Sequence, residues 1–234
     1  MEKETENIIR ELEALATDEK KRMLPRFFKT GKGQYGEGDR FIGVTVPLVR
    51  TVAKTHKDAT GQVLDELMAS PWHEARLCAL LILVLQCHRA STERRHEILQ
   101  FYLNHTARIN NWDLVDLSAP TIVGEYLVDR ERSLLYRLAQ SSLLWEQRIA
   151  VVSTMTLIRK GQLDDTYKLA TLLMSHPHDL MQKATGWMLR EAGKRDSRRL
   201  FAFVDDNRLT MPRTMLRYAI EKFPPEERKY LMRR

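Results

Sequence analysis

Two short stretches of the sequence carry side chains whose types and spacing suit chemistry on a charged, aromatic ligand. In NWDLVD, Trp112 and Asp116 are four positions apart, so a helix that begins there places the indole and the carboxylate on one face. A carboxylate beside an indole suits stabilisation of a cation, whereas Asp113 points elsewhere and suits a cap or a structural pair. The alternative is that Trp112 is a core residue and Asp116 is a satisfied acid at a helix start.

The second stretch, DLMQKATGWMLREAGK, covers residues 179–194 and predicts one helix that Asp179 caps. At about 3.6 residues per turn, one face carries an indole among cations and the roughly opposite face is apolar. The basic face consists of Lys183, Trp187, Arg190 and Lys194, and the apolar, buried face consists of Met181, Ala184, Met188 and Ala192. Cations around an indole suit a polyanion with stackable parts. Alternatively, Trp187 covers a neighbouring helix and the cations are a solvated face.

The composition limits the class of protein that holds these residues. Lys plus Arg number 38 and Asp plus Glu number 31, and the net charge of +7 is compatible with nucleic acid without establishing it. Cys78 and Cys87 are too few for a disulfide framework, so we expect a reduced, cytosolic protein without a metal site. The charged start predicts no secretory signal, and the most apolar run, 77–85, is too short to span a bilayer.

Helical periodicity runs along nearly the whole chain, and no stretch shows sustained two-residue alternation. With only 10 Gly and 8 Pro in 234 residues, we predict an all-α fold in one domain over residues 1–234. A loop over 29–47 holds half of the glycines. The predicted helices cover 5–16, 18–29, a segment from Pro47, 61–69, 72–88, 92–104, 112–128, 131–141, 145–160, 163–175, 179–194, 197–205, 212–222 and 225–233.

An internal repeat is visible in four helices that open in related ways: WHEAR, WEQR, LMQK and TMPR. Aligned on the basic residue near each start, they superpose Arg76, Arg148, Lys183 and Arg213. Arg76 and Arg148 lie about two periods of roughly 36 residues apart, and Asp113 falls near the place of the unit between them. We therefore predict a right-handed α-solenoid of HEAT-like antiparallel helix pairs with a basic concave face that tracks phosphates. The alternative is a chance row of surface residues.

Three segments, in this order, resemble the main motifs of a known family. NWDLVDLSAPTIVGEYL, LWEQRIAVVS and LMQKATGWMLRE are similar to those of the AlkD-type DNA alkylation repair glycosylases, which are built of HEAT-like helical repeats. The loop YGEGDRFIGV is also similar to a stretch common in that superfamily, and the resemblance extends over about residues 20–225. It implies a monofunctional DNA glycosylase of base excision repair that removes alkylated purines, chiefly 7-alkylguanine and 3-alkyladenine, from duplex DNA.

Carried over by motif, the resemblance implies that Asp116 is the catalytic carboxylate and that Trp112 and Trp187 are aromatic walls. It also implies DNA contacts by Arg148 and Arg190, and the stripe and the repeat add Lys183, Lys194, Arg76 and Arg213. Family members often carry a Tyr on the second helix, where this chain has Phe27 and Phe28. We therefore expect an aromatic contact with DNA by Phe27 without a hydroxyl group.

The chemistry of such a reaction agrees with a single carboxylate. A cationic alkylpurine is already a good leaving group, whereas ordinary sugar hydrolysis uses two carboxylates. One carboxylate stabilises an oxocarbenium-like sugar and orients a water, and no metal or cofactor is implied. We expect a cytoplasmic monomer, nucleoid-associated on duplex DNA with alkylated purines and not bound to a membrane. The alternatives are a non-catalytic HEAT-repeat scaffold that recognises bent or branched DNA, and a helical protein–protein scaffold.

Overall fold

A computed structural model describes residues 1–233, and the regular secondary structure of these residues is helical apart from one isolated bridge between Arg40 and Trp72. The predicted all-α class is therefore confirmed. The chain divides into two compact units, Met1–Ser118 and Ala119–Arg234. The single repeat domain over 1–234, the right-handed sense of the solenoid and its basic concave face stay predictions.

The first unit is built around one apolar helix. Its α-helices are α1 (Lys3–Ala14), α2 (Asp18–Phe27), α3 (Val46–Thr55), α4 (Gly61–Ala69), α5 (His73–Cys87), α6 (Thr92–Asn104) and α7 (Trp112–Asp116). α5 buries side chains on every side and packs against α1, α3, α4, α6 and α7. A helix that is apolar all round belongs in the interior of a unit, where it can organise its neighbours.

The segment between α2 and α3 is irregular and yet partly buried, and the start of α5 supplies its hydrogen-bond partners. The Glu74 carboxylate accepts the N–H groups of Ile42, Gly43 and Val44 at 2.9, 2.8 and 3.1 Å. These bonds replace the neighbouring strand that such a buried main chain otherwise needs. Gly43 has a φ of +105°, and a Cβ there would lie 2.8 Å from the main-chain nitrogen of Lys21, so this position requires glycine.

The second unit begins with a π-helical segment, Pro120–Glu125, and continues with seven α-helices in its described part. They are α8 (Ser133–Ala139), α9 (Leu144–Arg159), α10 (Asp164–Leu172), α11 (Asp179–Gly193), α12 (Ser197–Asn207), α13 (Arg213–Ala219) and α14 (Pro225–Leu231). α9 packs against the π-helical segment, α8, α10 and α11, and α11 packs against α12 and α13. Gly186 permits the close approach of α11 and α13, since a Cβ there would lie 2.5 Å from the Met215 carbonyl oxygen.

The largest departure from the predicted elements follows Trp112. One helix was expected over 112–128, but α7 ends at Asp116 and the chain becomes π-helical at Pro120. Proline lacks an N–H and its ring clashes with the preceding α-helical turn, so the regular helix cannot continue through this position. Elsewhere the agreement is close, and the helices predicted over 61–69 and 92–104 have the predicted bounds. Several pairs of helices adjacent in sequence pack together, among them α4 with α5, α8 with α9 and α11 with α12, as in helical repeats.

Candidate functional site

The first unit contains a mainly apolar cavity of about 410 Å³, and Trp112 and Asp116 both line it. α7 spans the two residues, which confirms that they share one face of a helix. α2, the segment after it, α3 and α5 supply the other walls, which include Phe27, Phe28, Phe41, Val44, Pro47 and Leu77. Asp116 is therefore a carboxylate at the edge of a weakly polar space, where a charge acts more strongly than in bulk water.

Stacked aromatic rings hold the Trp112 indole in place. Phe28 stacks on Trp112, with 5.3 Å between ring centroids, and Phe41 stacks on Phe28 at 5.1 Å. Phe27 meets Trp112 edge-on at 5.9 Å and is 56% exposed, whereas Phe28 is buried. The two adjacent phenylalanines thus differ in role. Phe28 belongs to the core, and Phe27 presents a ring beside the indole, where the predicted contact with DNA remains open to test.

A buried imidazole lies beneath this stack, between two carboxylates. His73 Nδ1 is 2.9 Å from Asp39 Oδ2, and its Nε2 is 2.8 Å from Asp113 Oδ2. Arg76 donates to Asp39 from the far side, so four charged side chains form a continuous series. We call this series, Arg76–Asp39–His73–Asp113, the buried charge relay. The prediction that Asp113 forms a structural pair is confirmed by its contact with His73, although Asp113 also lines the cavity that Trp112 and Asp116 line.

The carboxylates keep the imidazole protonated at neutral pH. Burial disfavours the imidazolium, but the charges of Asp113 and Asp39 and their hydrogen bonds raise the pKa of His73 to about 9. Burial also acts to raise the pKa of the Asp39 carboxyl, yet the hydrogen bond from His73 and the charge of Arg76 hold that pKa below its ordinary value. The imidazolium therefore donates from both ring nitrogens, one to each carboxylate.

In the second unit, α11 presents the two faces that its sequence predicts. Met181, Ala184, Met188 and Ala192 are buried, and Trp187 is half-buried. Trp187 lines a second cavity, of about 470 Å³, whose polar lining residues are Arg159, Glu191, Lys194 and Arg195. An indole beside three cations and one acid suits a polyanion, although one carboxylate reduces the local positive charge.

Each predicted cation of the α11 stripe has an acidic neighbour inside the protein. Lys183 pairs with Asp179 at 2.6 Å, Lys194 with Glu191 at 2.7 Å, and Arg190 with Glu191 and Glu221. These ion pairs are partly exposed and therefore weak, so a phosphate can replace the carboxylate partner. The DNA contacts of Lys183, Arg190 and Lys194 stay predictions.

The arginines aligned in the repeat bind main-chain carbonyl oxygens within the protein. The pairs are Arg76 with Ser70, Arg148 with Leu180 and Arg213 with Met232, at 2.9, 2.7 and 3.0 Å. Arg76 is 1% exposed and also binds Asp39, so the predicted phosphate contact by Arg76 is wrong: its guanidinium group is out of reach of a ligand. Arg148 is also buried, and the DNA contacts of Arg148 and Arg213 stay predictions.

The sequence-based hypothesis omitted the residues beneath Trp112. His73, Glu74 and Arg76 open a helix that is mainly apolar thereafter, and Asp39 lies in a glycine-rich loop. Charged residues within a buried helix must have partners, because an unpaired charge is expensive to bury. That rule indicates that the charged side chains of residues 73–76 (HEAR) have acidic and main-chain partners, but it does not identify the segment that supplies these partners.

Comparison with known proteins identifies the family. A family model described as DNA alkylation repair enzyme matches residues 8–223, and the chain therefore belongs to that family. One solved structure, described as "Predicted DNA alkylation repair enzyme from Enterococcus faecalis", superposes with a TM-score of 0.68 at 16% identity. The match covers 90% of this chain and 97% of that one, and at this identity it concerns the fold alone. A search of proteins with curated functions gave no match.

Family membership makes DNA the substrate and repair of alkylation damage the process. No helix among residues 1–233 is long and apolar enough to cross a membrane. Within the same residues, no group of three or more His, Cys, Asp and Glu side chains is arranged to hold a metal ion.

Proposed function

We propose that this repair enzyme is an AlkD-type DNA glycosylase, which hydrolyses the N-glycosidic bond of cationic alkylated purines in duplex DNA. Its substrates are chiefly 7-alkylguanine and 3-alkyladenine, and its product is an abasic site for base excision repair. The observation that supports this proposal is the pairing of Trp112 and Asp116 on one face of α7 at the apolar cavity. An acid at that place repels phosphate, so it favours a catalytic role over mere DNA binding.

The proposed reaction needs only one carboxylate. The alkyl group gives the purine a positive charge, so the bond between the base and C1′ breaks with its electron pair moving onto the base. The sugar becomes cationic, and Asp116 stabilises that charge and orients the water whose oxygen bonds to C1′. The water proton is released, and the purine leaves as a neutral molecule. The apolar cavity strengthens the attraction, because few other dipoles screen the carboxylate there.

Trp112 gives the cationic sugar a second stabilising neighbour. An indole face attracts a cation, and the stack on Phe28 and Phe41 keeps this indole from moving aside. The motif of α11 makes Trp187 the second aromatic wall in the proposal, and the exposed ring of Phe27 contacts the DNA from α2. None of these side chains transfers a proton, so catalysis depends on the position of one charge, the Asp116 carboxylate.

Phosphate contacts provide the affinity for DNA. In the proposal, Lys183, Arg190 and Lys194 release their carboxylate partners and bind phosphate oxygens, which gives binding that depends on salt and not on sequence. Such an enzyme acts on its own, as a cytoplasmic monomer that associates with the nucleoid.

The test is incubation with duplex DNA that carries a single 7-methylguanine, followed by alkaline cleavage of abasic sites. We expect strand cleavage at the lesion only, and none in the undamaged duplex. An Asp116→Asn preparation purified in the same way controls for contaminating glycosylases. If the protein binds the duplex at saturation and forms no abasic sites, it is the non-catalytic scaffold. If it does not bind DNA at all, it is a protein–protein scaffold.

A further inference from the structure

The proposed chemistry does not use the buried charge relay, although the relay lies against the candidate site. Its last member, Asp113, stands between Trp112 and Asp116 in α7. Its centre, His73, is covered by the rings of Phe28 and Phe41, at 5.0 and 4.6 Å between centroids. The same Phe28 ring stacks on Trp112. The imidazole is therefore linked to the site through an ionic neighbour, Asp113, and an aromatic neighbour, Phe28.

The helix that carries Trp112 and Asp116 depends on tertiary contacts for its stability and position. α7 has five residues, and a helix of that length is not stable without tertiary contacts, since nucleation is costly. Inside this helix, Asp113 makes an ionic hydrogen bond to another helix, through His73 Nε2 at 2.8 Å. The other Asp113 oxygen, Oδ1, is buried and has no hydrogen-bond partner among residues 1–233. The bond to His73 is thus the one that holds this carboxylate.

We propose that His73 is a positioning residue of the glycosylase, which donates from both ring nitrogens and thereby fixes α7, with Trp112 and Asp116, against the segment around Asp39. This inference rests on the proposed function. His73 does not touch DNA in the proposal, and it acts through Asp113. Its protonation matters, because a neutral imidazole has a single N–H and can donate to only one of the two carboxylates.

The charged groups around the imidazole determine how this link responds to pH. They are Lys20 from α2, Asp39 from the segment between α2 and α3, Glu74 and Arg76 from α5, and Asp113 and Asp116 from α7. Arg76 neutralises Asp39, and the Glu74 carboxylate is occupied by main-chain N–H groups, so Asp113, which accepts from His73 Nε2, is the main counter-charge of the imidazolium. The pKa of His73 is raised from 6.5 to about 9. Its contribution to stability is therefore complete below about pH 6.5 and is lost as the pH rises through about 9.

Two variants separate the two hydrogen bonds. His73→Gln places an amide nitrogen near the position of Nε2 and can still donate to Asp113, whereas His73→Asn places one near Nδ1 and can donate only to Asp39. In single-turnover excision we expect His73→Gln to stay within about tenfold of the wild-type rate and His73→Asn to lose about a hundredfold, because small displacements of reacting groups have effects of this size. The Kd for duplex DNA should change by less than about threefold in both.

The chain provides a matched control in a second histidine between two carboxylates. His56 lies 3.3 Å from Glu4 and 3.1 Å from Glu11, and it does not line the cavity. His56→Gln therefore makes the same substitution between two carboxylates away from α7, and we expect it to keep the wild-type excision rate. Circular dichroism of each variant shows whether it is folded under the assay conditions.

A pH profile of the excision rate distinguishes a positioning role of His73 from a purely structural one. The wild-type rate should fall above about pH 9, and His73→Gln, which has no titrating imidazole, should lack that fall. The ratio of the two rates at each pH removes the titration of the damaged base itself. If His73→Asn excises as fast as His73→Gln, or if both share the wild-type alkaline fall, His73 does not position the site.

One readout is independent of excision. Nitrogen chemical shifts of the His73 ring should report two protonated nitrogens at pH 7, as the two carboxylate contacts require. A neutral ring at that pH would overturn the inference, even in an active enzyme. Absence of excision by the wild-type protein would instead overturn the proposed function, so the two failures are distinguishable.

Discussion

Replacing Asp116 by Asn removes one negative charge from the wall of the cavity while keeping nearly the same side-chain shape. At about 4 Å, a unit charge attracts a cationic sugar by about 4 kcal/mol at the effective dielectric constant of a partly exposed site. The amide dipole of Asn retains part of this stabilisation. We therefore expect the excision rate to fall by about a hundredfold to a thousandfold, since each 1.4 kcal/mol corresponds to a factor of ten.

The expected effect on DNA binding has the opposite sign. Asp116 repels phosphate before the reaction begins, so its neutralisation should leave the duplex Kd unchanged or slightly lower. The assay is single-turnover excision of 7-methylguanine with enzyme in excess, combined with fluorescence anisotropy on the same duplex. This pair of measurements distinguishes loss of transition-state stabilisation from loss of affinity.

A matched variant controls for the general effect of removing an aspartate charge. Asp65 pairs with His105 at 2.9 Å in the same unit and does not line the cavity. Asp65→Asn should keep the wild-type rate. Near-full excision by Asp116→Asn would refute the assignment of the carboxylate, and an equal loss in both variants would show that the charge acts from a distance.

Three further predictions concern binding, substrate choice and stability. Lys183→Ala should weaken duplex binding regardless of sequence and flatten the plot of log affinity against log salt by about one unit, whereas Asp179→Asn should strengthen binding; unchanged slopes would exclude a phosphate contact by Lys183. Cationic 7-methylguanine and 3-methyladenine should be excised while neutral hypoxanthine and ethenoadenine persist in matched duplexes, and removal of a neutral base would require a proton donor absent from the proposed mechanism. Glu74→Gln should lower the free energy of unfolding in urea by about 3 kcal/mol, because an amide NH₂ would face main-chain N–H groups; an unchanged midpoint would mean that water replaces the lost acceptor.

The sequence predicted most helices well because they have a periodic apolar face and recognisable ends. α11 illustrates this, since its buried residues and its basic stripe lie on the faces that the helical wheel assigns. The same periodicity could not predict the end of α7, because a Pro within an apolar run is compatible with both a kinked helix and a break. There the structure resolves the ambiguity with a π-helical segment.

The repeat alignment did not distinguish a buried arginine from one that can reach a ligand. It superposed arginines in the first turns of their helices, where a guanidinium group suits a phosphate and a main-chain carbonyl equally well. Burial distinguishes the two, and burial depends on neighbours that are distant in sequence. The pairing of His73 with Asp39 and Asp113 spans 34 and 40 residues, so no local pattern contains it.

The three hydrogen bonds to Glu74 have a consequence for which sequences this protein can tolerate. The carboxylate recognises peptide N–H groups and not side chains, so the identities of residues 42 and 44 are constrained only by the apolar space around them. Proline is excluded at all three positions because it has no N–H to donate, and Gly43 is fixed by its backbone conformation. An insertion between residues 42 and 44 would shift the donors out of register with a single acidic side chain. This segment can therefore vary in its side chains across related sequences while its length stays constant.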